Sequence, residues 1–139
     1  MYLETARKLD FVTAEVSHRL KKLLAEEKED LTVVQFFTLR LLAREERLKV
    51  TDIAGCLGVT LSAITGLINR LYKLGLVTRD QDEADRRVVW IKLTPKGREL
   101  IDELNEKRAE KLAVLLREMP EEDFRKFEEL LLFISEKLG

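Results

Sequence analysis

Residues 76–97 read LVTRDQDEADRRVVWIKLTPKG. Leu76, Val77 and Thr78 have the composition of a short strand. Residues 88–93 are a second strand, rich in β-branched and aromatic side chains, with Val89, Ile91 and Leu93 on one side. Between them lies RDQDEADRR, a nine-residue loop that is long for a hairpin and ends in two adjacent arginines. Thr94-Pro95 then marks a helix start, with Thr as N-cap and Pro at the first helical position. Gly97, in that first turn, lacks a side chain where the helix packs closely. A long hairpin with a basic tip, leading straight into a helix, is the shape of a wing.

The preceding residues, 50–75, read VTDIAGCLGVTLSAITGLINRLYKLG. Thr51 is expected to cap a short helix carrying Ile53, Ala54 and Leu57, and Gly58 suits the left-handed residue that ends it. Thr60 is expected to cap the next helix, which stops at Gly75. Two helices separated by a three-residue turn containing Gly have the form of a helix-turn-helix. The second helix has two faces. Leu61, Ile64, Ile68, Leu71 and Leu74 form an apolar stripe, with Leu67 beside it. Ser62, Thr65, Gly66, Asn69 and Lys73 form the opposite stripe, with Arg70 beside it. The second face has short hydrogen-bonding side chains and cations but no acid. Such a face suits close approach to base edges in a major groove; the plain alternative is the wet side of a surface helix.

Helical periodicity continues on both flanks. Leu9, Val12, Val16, Leu20 and Leu23 predict a helix over about residues 3–27, closing in EEKED. Thr32 and Gln35 form a capping box, and Leu31 and Phe36 occupy the hydrophobic-staple positions of a helix reaching about Ala43. Leu100, Ile101, Leu104, Leu112, Leu115 and Met119 carry a helix over about residues 95–118, about 36 Å at ~1.5 Å per residue. Pro120 and the acids 121–123 open a last helix with Phe124, Phe127, Leu131, Ile134 and Leu138 on its stripe. The long helix and the terminal stripes call for a partner surface.

The fold class is therefore mainly α with a small antiparallel β wing, in a single domain of 139 residues. Residues 31–94 make the winged helix-turn-helix lobe, and 1–30 with 95–139 the dimerisation helices. Net charge is −1, but residues 60–98 carry +4 and the remainder −5, so the middle points to an anionic partner. No apolar run approaches the ~20 residues of a membrane span. The start lacks the apolar segment of a signal peptide, and the single Cys56 has no partner for an internal disulfide, so a cytoplasmic location is expected. Cys56 reads as a small buried hydrophobe. Trp90 faces away from Val89 and Ile91, either covering the wing or meeting a partner.

The stretch resembles the wing of the MarR family of winged-helix regulators. The family pattern Asp-x-Arg, five residues, Leu-Thr-x-x-Gly is matched by Asp85, Arg87, Leu93, Thr94 and Gly97, and residues 52–77 resemble the family's helix-turn-helix. The sequence departs at Glu83-Ala84, where a Pro is common. The resemblance covers the whole length. It implies a homodimer on a pseudo-palindromic double-stranded DNA operator, usually as a repressor, and in some members release by a small aromatic or phenolic anion bound between the lobes. The expected DNA-binding residues are Thr51, Thr60, Ser62, Thr65, Gly66, Asn69, Arg70, Lys73, Asp85, Arg86 and Arg87. Arg87 is expected at a minor groove, oriented by Asp85, with Arg86 on phosphate. The bland reading of Asp85 and Arg87 is a surface ion pair. His18, the only histidine, is the one candidate ligand contact, against the plainer reading of a surface or interface position.

An enzyme is not expected: one His and one Cys lie far apart, with no catalytic dyad or phosphate loop. No cofactor or metal is expected either. The competing readings are a winged-helix module for protein–protein contact, and a DNA-binding protein without a ligand.

Overall fold

The computed structural model describes residues 1–25 and 31–139. The elements run α1 (Tyr2–Leu24), α2 (Val33–Arg44), β1 (Leu48–Lys49), α3 (Val50–Leu57), α4 (Leu61–Lys73), β2 (Val77–Gln81), β3 (Val89–Leu93), α5 (Pro95–Leu116) and α6 (Glu121–Leu138). The helix end expected in EEKED falls on residues 26–30, outside the described residues. The chain divides into two compact units, Lys28–Asn105 and Met1–Glu27 with Glu106–Gly139.

In the first unit the local signals fix the helix ends. Thr32 accepts from the Gln35 backbone N–H at 3.2 Å, and Gln35 Oε1 accepts from Thr32 N–H at 2.9 Å, closing the capping box. Gly58 takes φ 64°, and its N–H and that of Val59 both donate to Ala54 O, ending α3 in a left-handed residue. Thr60 accepts from Ala63 N at 3.1 Å and starts α4. Thr94 Oγ1 accepts from Gly97 N at 3.0 Å at the head of α5 and donates to Gly75 O at 2.6 Å. A Cβ on Gly97 would stand 2.1 Å from Leu76 O, so the start of α5 reaches the start of β2 only because that residue is glycine.

The sheet has three antiparallel strands in the order β1-β3-β2. β2 pairs along its whole length with β3, Val77 opposite Leu93 and Gln81 opposite Val89. Arg79, Asp80 and Gln81 are thus strand, and the connecting loop shrinks from the expected nine residues to 82–88. β1 is an unexpected third strand, with Leu48 opposite Ile91 and Lys49 opposite Trp90. It displaces the expected cap of α3. Lys49, still extended, is the N-cap with no side-chain bond, and Thr51 lies inside the first turn rather than at its head.

The core of this unit joins α2, α3, α4, the sheet and the first turns of α5. Leu39, Ile53, Ile64, Leu71, Ile91 and Ile101 are fully buried in it. The apolar stripe of α4 is buried at Ile64, Ile68 and Leu71 but exposed at both ends, at Leu61 and Leu74. Cys56 is exposed, not buried, because the short α3 turns Ile53 and Ala54 inward and leaves Gly55 and Cys56 on the other side.

In the second unit the apolar stripes lie open. α1 buries only Leu24, and α6 buries no residue. Leu9, Val12 and Val16 on α1, and Phe127, Leu131 and Ile134 on α6, are all more than two-fifths exposed. His18 is exposed on α1.

Candidate nucleic-acid interface

The polar face of α4 is open. Ser62, Thr65, Gly66, Arg70 and Lys73 are exposed and Asn69 is half-buried. No heavy atom lies within 4 Å of the point a Gly66 Cβ would occupy, so nothing in the fold requires glycine there; its absence of bulk is offered outward. Thr65 Oγ1 donates to Leu61 O at 2.8 Å, which spends its proton within the helix and leaves its oxygen as an acceptor. Thr60, exposed, is engaged as the cap.

The wing is organised by two carboxylates. Asp82 Oδ1 accepts from the backbone N–H of Ala84 at 2.9 Å and of Asp85 at 3.1 Å, while Oδ2 accepts from Trp90 Nε1 at 2.9 Å. The Trp90 bond first, then the two backbone bonds, hold the Asp82 carboxyl below its ordinary pKa. Asp82 N and Val88 O close the base of the loop at 2.9 Å. Asp85 Oδ1 accepts from Arg87 N and Nε, both at 3.0 Å, and its Oδ2 from Nη2 at 3.1 Å. This forked pair lowers the Asp85 pKa, the Arg87 side chain being the larger cause. Arg87 nevertheless keeps its side chain 90% exposed. Arg86 beside it is exposed.

Trp90 belongs to the wing. Its ring carries the Arg47 guanidinium at 4.0 Å and the Lys49 ammonium at 5.3 Å, one cation just before and the other within the strand that the periodicity did not reveal. Trp90 covers the wing, one of the two readings that the sequence left open.

Between wing and helices lies a groove of about 460 Å³. Thr51 lines it from the first turn of α3, Thr65 and Asn69 from α4, and Arg87 from the wing, so four of the expected residues converge. Ser62, Gly66, Arg70 and Lys73 continue along the exposed side of α4, and Asp85 and Arg86 sit in the wing loop. His18 belongs to the other unit.

Arg79 also lines the groove and was not among the expected residues. It hydrogen-bonds through Nη1 to Asn69 Oδ1 and lies 4.1 Å over the Tyr72 ring. The signal that could have found it is the strand period: Val77 and Arg79 share one side of β2, and Val77 is buried. A cation on the core side of a strand, just past the last buried residue, has to find partners on the neighbouring helix.

Among the described residues, no group of three His, Cys, Asp or Glu side chains is placed to hold a metal ion, and no single helix is long and apolar enough to cross a membrane.

Comparison with known proteins agrees with this geometry. The MarR family model matches residues 31–89. The uncharacterized HTH-type transcriptional regulator YfiV of Bacillus subtilis is 38% identical over 111 residues, covering 80% of this chain and 69% of YfiV. The HTH-type transcriptional repressor MdtR of the same organism is 38% identical over 71 residues, covering 51% of this chain and 46% of MdtR. The structure of a MarR family protein from Bacillus stearothermophilus superposes with a TM-score of 0.81 at 30% identity, covering 99% of this chain and 94% of that one. The chain belongs to the MarR family of helix-turn-helix transcriptional regulators, which are DNA-binding proteins and not enzymes.

Proposed function

We propose that the protein acts as a homodimeric repressor that occupies a pseudo-palindromic operator. The observation that carries this reading is the groove in which the acid-free face of α4 and the exposed Arg87 meet. α4 enters the major groove, where Ser62, Thr65, Gly66 and Asn69 reach base edges and Arg70 and Lys73 neutralise phosphate. Arg87, held in its forked pair by Asp85, extends to the adjacent minor groove, and Arg86 takes a phosphate. Thr51, in the first turn of α3, and Thr60, the cap of α4, face the backbone where helix N-termini favour anions.

The homodimer reading is supported by the open stripes of α1 and α6. Apolar faces of this extent on a water-soluble surface want a partner, and a second copy offers the self-complementary one. Two copies of α4 then meet grooves about one helical turn, ~10 bp, apart. Repression is supported by the likeness to MdtR. Release by a small aromatic or phenolic anion is the part carried by family resemblance, with His18 as its candidate contact. A thermal-shift screen of aromatic acids tests it, and flat shifts throughout overturn it.

The test of operator binding is fluorescence anisotropy with DNA from upstream of the protein's own gene, against scrambled DNA, over a salt series. Specific binding whose logarithm falls steeply with the logarithm of salt is expected, because each neutralised phosphate releases counterion. Equal affinity for both DNAs across the series, with own-promoter transcription unaffected by the protein, overturns the reading.

A further inference from the structure

On the open face of α4, the orientation of Asn69 is set from another element. Arg79, on β2, donates to its Oδ1. A guanidinium has no acceptor, so the atom it engages on the amide is the carbonyl oxygen; the bond takes up one of its two lone pairs and leaves both Nδ2 protons available to the groove. The 4.1 Å stack on Tyr72 holds the planar guanidinium in place against the pull of a nearby phosphate.

We propose that Arg79 is a positioning residue for base readout: by engaging Oδ1 it biases Asn69 toward donating through Nδ2, which favours a keto base, guanine or thymine, at one base pair of each half-site. This rests on the placing of α4 in the major groove argued above. An unconstrained Asn prefers adenine, accepting from N6 while donating to N7. With Oδ1 fixed on Arg79, an amino group of adenine or cytosine has to share that oxygen with the guanidinium, which weakens the bidentate fit to adenine. Guanine, with O6 and N7, and thymine, with O4, present only acceptors there.

The experiment is selection from a random duplex pool with the wild-type protein, followed by anisotropy on single-position variants of the enriched site. Asn69→Ala identifies the position, as the one whose base preference collapses. At that position the wild type is expected to favour guanine or thymine over adenine by about three- to tenfold, the range of one net neutral hydrogen bond. Arg79→Met keeps the stem and removes donor and charge. It is expected to lower affinity on every sequence and, at this position alone, to move the preference to adenine. Tyr72→Leu keeps Arg79 but removes its platform, and is expected to move the preference the same way by less. Melting temperatures of both variants check the fold, and Tyr72→Leu keeps the proposal exposed to test if Arg79→Met does not fold. Unchanged base preference in the folded variants, with only a uniform loss of affinity, makes Arg79 a phosphate anchor and overturns the proposal. So does an Asn69→Ala protein that loses preference nowhere. A wild type that enriches no sequence instead overturns the operator-binding reading on which the proposal rests.

Discussion

Leu71 and Leu131 both sit on apolar stripes of three- and four-residue spacing, yet Leu71 is 0% exposed and Leu131 is 49% exposed. The difference is not in the local sequence. In the winged unit, α4 lies among α2, α3 and the sheet, and the chain itself supplies the cover for its apolar face. In the terminal unit, α6 has no buried residue at all. Periodicity tells that a face avoids water; it does not tell whose atoms will cover it. One region completes its core within the chain, and the other leaves its apolar faces open.

Matched substitutions sharpen this comparison, and they carry the largest expected effects. Leu71→Ala empties a fully enclosed site and should cost about 2–5 kcal/mol of folding stability, read by chemical denaturation. Leu131→Asp should act on association instead. Mass by light scattering should fall from twice 16.2 kDa to 16.2 kDa at concentrations where the wild type stays paired, because a two-fold interface meets each change twice. A Leu131→Asp protein that keeps the doubled mass at every concentration would break the comparison, since the stripe would then be exposed for some other reason.

The same limit of periodicity explains how much of this fold was legible. The capping box at Thr32, the left-handed Gly58, the cap at Thr60 and the Thr94-Pro95 start are local devices, complete within four residues, and each is found where the sequence puts it. β1 is two residues long, and no alternation can announce it; its existence depends on Ile91 and Trp90, more than forty positions away. Once Lys49 is held in that ladder the helix begins at Val50, so the misplaced cap at Thr51 is a tertiary consequence. Arg79 was passed over because it looks like loop until its pairing with Ile91 makes it strand. The wing was legible as a pattern, Asp85 to Arg87, and the structure adds its foundation: Asp82, Trp90 and Arg47, joined through the ring rather than through neighbouring sequence.

A smaller effect separates the two kinds of exposed surface. Arg87 is exposed within the unit that buries its own apolar residues, so it is open for a contact outside the chain and carries little of the fold. Arg87→Ala should weaken operator binding about tenfold and reduce the salt slope by about one phosphate equivalent. Stability should stay within about 0.5 kcal/mol, as for other surface changes, and dimer mass should not move. Unchanged affinity removes Arg87 from the interface. A large fall in melting temperature would mean instead that its pair with Asp85 holds the wing.

The smallest effect concerns the wing, which is kept in shape by hydrogen bonds where the rest of its unit is kept by burial. Asp82 has a pKa below its ordinary value of 3.8, mainly through the Trp90 bond. A carboxyl whose folded pKa is depressed contributes fully above the unfolded value, and the contribution is lost as pH falls through the folded one. Trp90 is the sole tryptophan, so indole emission reports the surroundings of this ring alone, the Asp82 bond and the stacked cations. The emission should stay flat from pH 8 down to about 4 and change only below 3.8, while far-ultraviolet circular dichroism follows the helices separately. Asp82→Asn should remove the acid step and leave the helical signal at neutral pH unchanged. Emission that stays flat through the acid range, and is the same in Asp82→Asn, would assign the anchoring of Trp90 to its cations, Arg47 and Lys49, and make the stacked ring, not the carboxylate, the root of the wing.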